Sequence, residues 1–299
     1  MAESKESKQS SGNSQVKGSE KGQAKNFLAM LHEKNIVLYL LVLSFLAFLL
    51  TKSILFAVLT GASIIFLFVL DILVGVQHHG ISKELIEVGI AAVFALAVWF
   101  GLTFALNTSS PISAIVSCSM LPAYERGDMI LLQGVPMSEI KAPEIQVSQD
   151  ILDSVVRSTH VPCGSTQFGI DYICSNCIRT DNNKQERYIQ CAKVITVAGQ
   201  LVNENLSNDV IVYTPQPTIS KFQGDIIHRA YVKLTAGNRT VLLTKGDNNN
   251  YFDSSMFGAV PKENVKGKVL LRIPYLGYLK LFISGYFSEP EGCDTVLQH

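Results

Sequence analysis

Three apolar stretches before residue 107 constrain the fold more than any other feature of the sequence. The runs without a charged residue are Ile36–Leu50, Ser53–Leu70 and Val88–Leu106. A helix needs about 20 mostly apolar residues to cross the hydrocarbon core of a bilayer. The pattern therefore predicts three membrane-spanning helices, at about 36–51, 54–76 and 87–106.

The first stretch is the shortest, and two alternatives stay open for it. Its helix starts earlier, near Phe27, or the anchor consists of one broken helix followed by two spans. A cleaved secretory signal does not fit, because the stretch begins late in the chain and two more apolar stretches follow it.

The composition is typical of a membrane protein rather than a soluble one. Charged residues make up 17% of the chain and hydrophobic residues 47%, whereas a soluble domain contains about a quarter charged residues. The 25 Lys and Arg balance the 25 Asp and Glu, and this neutrality argues against nucleic acid as a partner. The apolar content also excludes disorder throughout the chain.

The charge distribution predicts the orientation in the membrane. Residues 1–34 are polar, contain six lysines and four glutamates, and are typical of a disordered cytoplasmic tail. Lys83 follows the second stretch, while only Lys52 separates the first two. Because cytoplasmic segments carry the excess of Lys and Arg, an anchor at 35–106 would place residues 107–299 on the exterior or lumenal side.

Residues 107–299 predict a mainly β domain. Short apolar stretches such as Met129–Gln133 and Asp209–Tyr213 are bounded by Gly, Asp, Asn and Pro, a pattern of strands joined by turns. The expected fold is therefore a three-helix membrane anchor followed by a β-rich exterior domain.

Ser119 is the first candidate for chemistry, since it follows the last apolar stretch within a short polar segment. Serine and proline are also ordinary turn residues, so this segment alone predicts only a turn. A free serine hydroxyl is a weak nucleophile and needs a base. The two histidines in the exterior domain before the terminal one are His160 and His228.

His228 lies in an apolar strand, where a histidine is often structural. Asp247 and Asp253 lie in a segment rich in Asn and Gly, which is also typical of a turn. A carboxylate at either position would be able to orient an imidazole. Each of these observations is weak when it is taken alone.

The order of the segments is more specific than any one of them. They are Ser119-Met-Leu-Pro122, Arg126-Gly-Asp128, Asn208–Tyr213, Ile227-His-Arg229, Lys245–Asn249 with Asp253, and Gly267-Lys-Val with Pro274–Gly277. Together they resemble the type I signal peptidase family, in its archaeal and endoplasmic-reticulum branch with a Ser-His site. The resemblance covers about 107–134 and 208–280.

The resemblance implies a role for each matching residue. Ser119 would be the nucleophile, His228 the general base and Asp253 the acid that orients it, with Asp247 as the neighbouring acid of the same segment. The sequence does not clearly distinguish which of the two acids belongs to the triad. We expect it to be Asp253.

The residues around the nucleophile also have counterparts in the family. Ser117 matches a position that supplies an oxyanion-hole hydroxyl, and the backbone N–H of Ser119 would be the second donor. Met120 and Pro122 would shape the turn and the wall of the substrate site.

The activity implied by the resemblance is that of a membrane-bound serine endopeptidase. It would remove signal peptides from exported preproteins after small residues, without a cofactor, in the cell membrane or the endoplasmic reticulum. Its partners would be preprotein signal peptides, the lipid bilayer and a protein-export channel.

Two features depart from the family. Relatives commonly have one or two helices before the catalytic part, whereas three are predicted here. This chain also has an insertion at about 135–207. The insertion contains Cys163, Cys174, Cys177 and Cys191. Two disulfides or one zinc site would use all four, and free thiols are the third alternative. Only one Cys-x-x-Cys pair is present, whereas a strong zinc-ribbon pattern has two, so disulfides are favoured.

Two other functions stay open at this point. A non-catalytic binding or assembly module of an export complex would explain the cysteine-containing insertion, but it predicts the loss of at least one catalytic position. A related processing peptidase would keep the same triad and differ only in its substrates.

Overall fold

The computed structural model describes residue 30 and residues 35–157, 164, 166–167, 169–216, 222 and 224–299. The polar tail, Cys163 and His160 therefore lie outside the described residues, apart from Met30. The chain divides into two compact units: residues 1–96 with 282–287, and residues 97–281 with 288–299.

The described residues from 35 onward begin with three apolar helices: α1 (Ile36–Thr51), α2 (Ile54–His79) and α3 (Ile81–Ala105). Only α2 and α3 are long and apolar enough to cross a membrane, and α1 is shorter. At 1.5 Å per residue, the 16 residues of α1 span about 24 Å, less than the ~30 Å of a hydrocarbon core. Of the three helices predicted to span the membrane, two are thus long and apolar enough to do so.

Residues 77–86, which the predicted helix bounds leave as a connection between the second and third helices, are almost entirely helical. Only Gly80 separates α2 from α3, and its φ of 79° lies in the left-handed region that glycine adopts without a steric penalty. The helices extend through the polar residues on either side because these residues do not break a helix. The prediction of a longer connection here is therefore wrong.

The remaining described residues form two mainly antiparallel sheets. The strands are β1 (Ile112–Ala114), β2 (Met129–Gln133), β3 (Glu144–Gln146), β4 (Thr166–Gln167), β5 (Ile170–Asp181), β6 (Glu186–Val197), β7 (Gln200–Asn203), β8 (Val210–Tyr213), β9 (Ile226–Ala236), β10 (Arg239–Lys245), β11 (Val260–Pro261), β12 (Val265–Ile273) and β13 (Thr295–Leu297). Two short helices accompany them, α4 (Gln149–Arg157) and α5 (Gly277–Ile283). The prediction of a mostly β domain is confirmed.

The larger sheet has the order β1-β2-β12-β8-β9-β10-β11, and β3 adds to β9 in parallel. Its centre is strongly apolar, because all four residues of β8 are buried. Strands β9 and β10 form a hairpin whose turn contains Gly237 with a φ of 59°. Ile211 of β8 lies opposite His228 of β9, so His228 lies in the interior of the sheet.

The insertion builds most of the second sheet, whose order is β13-β5-β6-β7, with β4 added to β5. Its apolar side chains, including Tyr172 and Ile195, are buried in one core with Leu234 of β9 and Leu243 of β10. The insertion is therefore held by a core that it shares with the larger sheet.

Candidate active site

The loop between β1 and β2 carries Ser119. Its base is closed by two backbone hydrogen bonds, from Ile115 N–H to the Asp128 carbonyl and from Gly127 N–H to the Ile115 carbonyl. Met120 is fully buried and anchors the loop. Ser119 is half-buried, so the residue is partly accessible to solvent.

The Arg126-Gly-Asp128 segment fixes the other end of this loop. The Arg126 guanidinium lies 5.7 Å from the centre of the Tyr278 ring, within the range of a cation–π contact. The Asp128 carboxylate accepts a hydrogen bond from Glu125 N–H at 2.7 Å and pairs with Arg272 at 2.6 Å. The sequence identified this segment only as a motif. In the structure, its contacts hold one end of the loop in place.

Ser119, His228 and Asp253 form a continuous hydrogen-bonded chain. The Ser119 Oγ lies 2.9 Å from His228 Nε2, and His228 Nδ1 lies 2.6 Å from Asp253 Oδ2. His228 and Asp253 are both buried. A carboxylate can only accept, so the proton on the imidazole sits on Nδ1 and leaves Nε2 free to accept from the serine hydroxyl.

Two further hydroxyl groups hold the Asp253 carboxylate. The Tyr213 hydroxyl donates to Asp253 Oδ2 at 2.9 Å, and the Thr244 hydroxyl donates to the same oxygen at 2.6 Å. Burial raises the pKa of Asp253, but the neighbouring His228 and these hydrogen bonds outweigh it, and the net pKa lies below the usual value. Asp253 is therefore an ionised acceptor at neutral pH.

Tyr213 and Thr244 were not singled out by the sequence. Tyr213 ends β8 and Thr244 lies in β10, and both strands read as ordinary apolar core. Their contact with Asp253 depends on which residues of neighbouring strands lie opposite each other. The sequence pattern does not give this register. Burial raises the pKa of the Tyr213 phenol well above its usual value, which keeps it protonated as a donor.

The other residues expected near the nucleophile lie in the same loop. Ser117 is half-buried, and its Oγ lies 3.2 Å from the Ser119 Oγ. The Leu121–Pro122 peptide bond is cis, and Pro122 is exposed.

Asp247 has a different environment from Asp253. Its two carboxylate oxygens accept from the Arg229 Nε at 2.8 Å and the Arg229 Nη2 at 2.6 Å. Arg229 also donates to the carbonyls of Leu206 and Asn208. Asp247 thus holds the residue next to His228 on β9, while Asp253 holds the imidazole itself.

Gly246 allows the three segments of the site to approach each other closely. A Cβ atom on this residue would lie 2.7 Å from the Ser119 carbonyl oxygen and 2.8 Å from both His228 Nε2 and Asn249 Nδ2. Any side chain here would displace at least one of these groups. The Lys-Gly-Asp-Asn-Asn segment therefore carries its glycine for steric reasons.

The cysteines in the described residues are oxidised. Cys177 pairs with Cys191 across the β5–β6 hairpin, and Cys174 is also in a disulfide. Such sulfurs do not serve as zinc ligands, and the described part of the chain has no group of three or more metal-ligating side chains. Cys118 and Cys293 also form a disulfide.

No family model matches the chain, but curated proteins are similar to it. A protein named signal peptidase complex catalytic subunit SEC11 from Metarhizium acridum is 23% identical over 207 residues, which cover 68% of this chain and 81% of that protein. A protein of the same name from Yarrowia lipolytica is 24% identical over 220 residues, covering 71% and 87%. These similarities confirm the resemblance indicated by the motifs: over about 70% of its length the chain is similar to proteins named as the catalytic subunit SEC11 of the signal peptidase complex.

Proposed function

We propose that the chain is a membrane-bound serine endopeptidase that cleaves signal peptides from preproteins. The observation that carries the proposal is the hydrogen-bonded chain from Ser119 through His228 to Asp253. This arrangement is the one that a serine hydrolase uses to activate its nucleophile. The names of the relatives supply the reaction class.

The first half of the reaction forms an acyl-enzyme. Ser119 Oγ attacks the scissile carbonyl carbon while His228 Nε2 takes the hydroxyl proton. The Ser119 backbone N–H and the Ser117 hydroxyl would donate to the developing oxyanion. As the C–N bond breaks, His228 returns the proton to the leaving amine, which is the new N-terminus of the mature protein.

The second half releases the signal peptide. Water attacks the acyl carbon, and His228 accepts its proton and passes it to Ser119 Oγ as the ester bond breaks. Throughout, the ionised Asp253 holds the imidazole tautomer and stabilises the imidazolium that forms twice.

The apolar helices would keep the enzyme in the bilayer that holds its substrate. Confinement of both partners to one membrane raises their effective concentration without any new contact. The disulfides of the described residues favour a site on the lumenal or exterior side, where such bonds persist. Partner subunits of a signal peptidase complex and a protein-export channel would deliver the preprotein.

The test is cleavage of a labelled preprotein by membranes containing the full chain, with the new N-terminus identified by mass spectrometry. We expect one cut, directly after a small residue, and loss of that cut when the residue is replaced by Phe. Binding of the preprotein without any cut, by folded protein in the presence of its partner subunits, would favour an assembly module. A cut only in other substrates would favour a related processing peptidase.

A further inference from the structure

Asn248 contacts both peptide groups that flank the Ser119 Cα atom. Its side-chain Nδ2 donates to the Cys118 carbonyl at 3.0 Å, and its backbone N–H donates to the Ser119 carbonyl at 2.7 Å. Asn248 is only 5% exposed. A single buried residue therefore fixes the backbone on both sides of the nucleophile.

The contact with Cys118 has a consequence for the oxyanion site. The Cys118 carbonyl and the Ser119 N–H belong to one planar trans peptide group, in which the C=O and N–H bonds point in opposite directions. Holding the carbonyl oxygen against Asn248 therefore turns the Ser119 N–H to the opposite side. This N–H is the backbone donor that the proposed mechanism directs at the oxyanion.

The amide of Asn248 has one orientation that satisfies its surroundings. Its Oδ1 accepts from Arg179 Nη1 at 3.2 Å and from Leu297 N–H at 2.8 Å. Its Nδ2 faces three carbonyl oxygens, those of Cys118, Gly292 and Thr295. A flipped amide would place an acceptor against three acceptors, so the donor to Cys118 is fixed.

The elements that hold Asn248 come from distant parts of the chain. Arg179 lies on β5 of the insertion, and it also donates to the Asn248 carbonyl at 2.7 Å. Leu297 lies on β13, and the adjoining segment is bonded to the nucleophile loop through the Cys118–Cys293 disulfide. The insertion and the C-terminal strand thus converge on one side chain behind Ser119.

We propose that Asn248 is a positioning residue that aims the backbone N–H of Ser119 into the oxyanion site, an inference that rests on the proposed peptidase function. Its geometry would preorganise the donor before charge develops, which is the condition under which such a donor accelerates the reaction. The insertion and the C-terminal strand would support catalysis through this residue.

The test compares Asn248→Asp with Asn250→Ala. The aspartate keeps the size and the acceptor of Asn248 but presents an oxygen to the Cys118 carbonyl. Asn250 bonds the same Arg179 through its Oδ1 and serves as the matched control. We expect Asn248→Asp to lower kcat about 10²-fold, comparable to the loss of an oxyanion donor, with KM nearly unchanged, and Asn250→Ala to stay close to wild type.

A peptide boronate separates positioning from a general structural effect. It forms a tetrahedral adduct with the serine, whereas an uncleavable substrate peptide does not. We expect Asn248→Asp to weaken the boronate in proportion to kcat and to leave the affinity for the uncleavable peptide unchanged. Equal losses for both ligands, equal effects in Asn250→Ala, or wild-type kcat in Asn248→Asp would overturn the inference.

Two further variants keep the outcome decisive. If Asn248→Asp does not fold, Asn248→Ser removes the donor without adding charge, and the same proportional losses are expected. Ser119→Ala, measured alongside, separates the two proposals. Activity in Ser119→Ala refutes Ser119 as the nucleophile and with it the proposed mechanism, whereas an inactive Ser119→Ala with a fully active Asn248 variant refutes only the role of Asn248.

Discussion

The His228 imidazole lies 2.9 Å from the Ser119 hydroxyl although 109 residues separate the two in the chain. Ser119 is held by a loop next to the edge strand of the larger sheet, and His228 by a strand in its interior. Their contact therefore depends on the whole sheet being assembled. Changes that leave the sheet intact but alter the site should affect turnover more than stability.

Asp253→Asn tests the orientation of the imidazole. With its amide nitrogen at the position of Oδ2, the asparagine would donate to His228 Nδ1 and stabilise the wrong tautomer. We expect kcat to fall by about 10⁴, the size of this effect in a serine protease triad. Preprotein cleavage rates at saturating substrate provide the measurement.

Asp225→Asn is the matched control, because Asp225 pairs with Lys266 at a partly exposed position. It should retain wild-type turnover. Equal turnover in Asp253→Asn and Asp225→Asn would exclude the assigned role of Asp253.

Gly246→Ala tests the close packing behind the site. The added methyl would lie within 2.8 Å of His228 Nε2 and 2.7 Å of the Ser119 carbonyl, so one of them has to move. A misplacement of about 1 Å can cost 10²-fold in rate, and we expect a loss of at least that size. Gly89→Ala, where a Cβ meets no atom within 4 Å, should retain full activity, and similar activity in both variants would argue against the packing.

The Arg229–Asp247 pair is predicted to be important for stability. The side chains are 11% and 3% exposed, and removal of one partner from a buried pair leaves an uncompensated charge that costs about 3–5 kcal/mol. Arg229→Met should therefore lower the free energy of unfolding by that amount. Denaturant unfolding followed by fluorescence measures it.

The exposed pair of Arg239 and Asp153 supplies the comparison. These side chains are 53% and 38% exposed, and exposed pairs contribute about 0–1 kcal/mol. Arg239→Ala should change the unfolding free energy by no more than this. Equal destabilisation in the two variants would contradict the burial argument.

The environment of Glu204 predicts that the folded protein loses stability at acidic pH. Burial raises its pKa, but a hydrogen bond from His299 and the charge of Lys245 outweigh burial and lower the pKa to about 2. The folded state therefore favours the ionised carboxylate, and the resulting stability is complete above the unfolded pKa of about 4.3. It is lost as the pH falls from about 4.5 through 2.

Glu204→Gln should remove that part of the acid dependence. Thermal unfolding from pH 6 down to pH 2 would show a shallower decline for the variant than for the wild type. Parallel curves would indicate that Glu204 is not the titrating group.

The sequence predicted the parts of the fold and site that depend on local chemistry. Apolar length indicated the helices, and alternating patterns with turn residues indicated the β-rich domain. Segment order and resemblance indicated Ser119, His228 and Asp253 as candidates, and the structure brings the three together. Gly80 shows the limit of sequence-based helix bounds. This single residue ends α2, whereas the predicted bounds left ten residues between the two helices.

The missed features depend on long-range pairing. Tyr213 and Thr244 reach Asp253 through strand register, and Arg179 reaches Asn248 from the insertion, where composition gave no sign of a role at the site. The Cys118–Cys293 disulfide has a sequence separation of 175. The local sequence pattern around Cys118 gives no information about a partner so far away in the chain.

The most direct test of the central claim is preprotein cleavage by wild type, Ser119→Ala and Ser117→Ala in the same membranes. If Ser119 is the nucleophile, Ser119→Ala should leave no cleavage above background while its unfolding transition and disulfides stay as in the wild type. Ser117→Ala should lose about 10²–10³-fold, as expected for one oxyanion donor. Cleavage by Ser119→Ala at the wild-type rate would contradict the account.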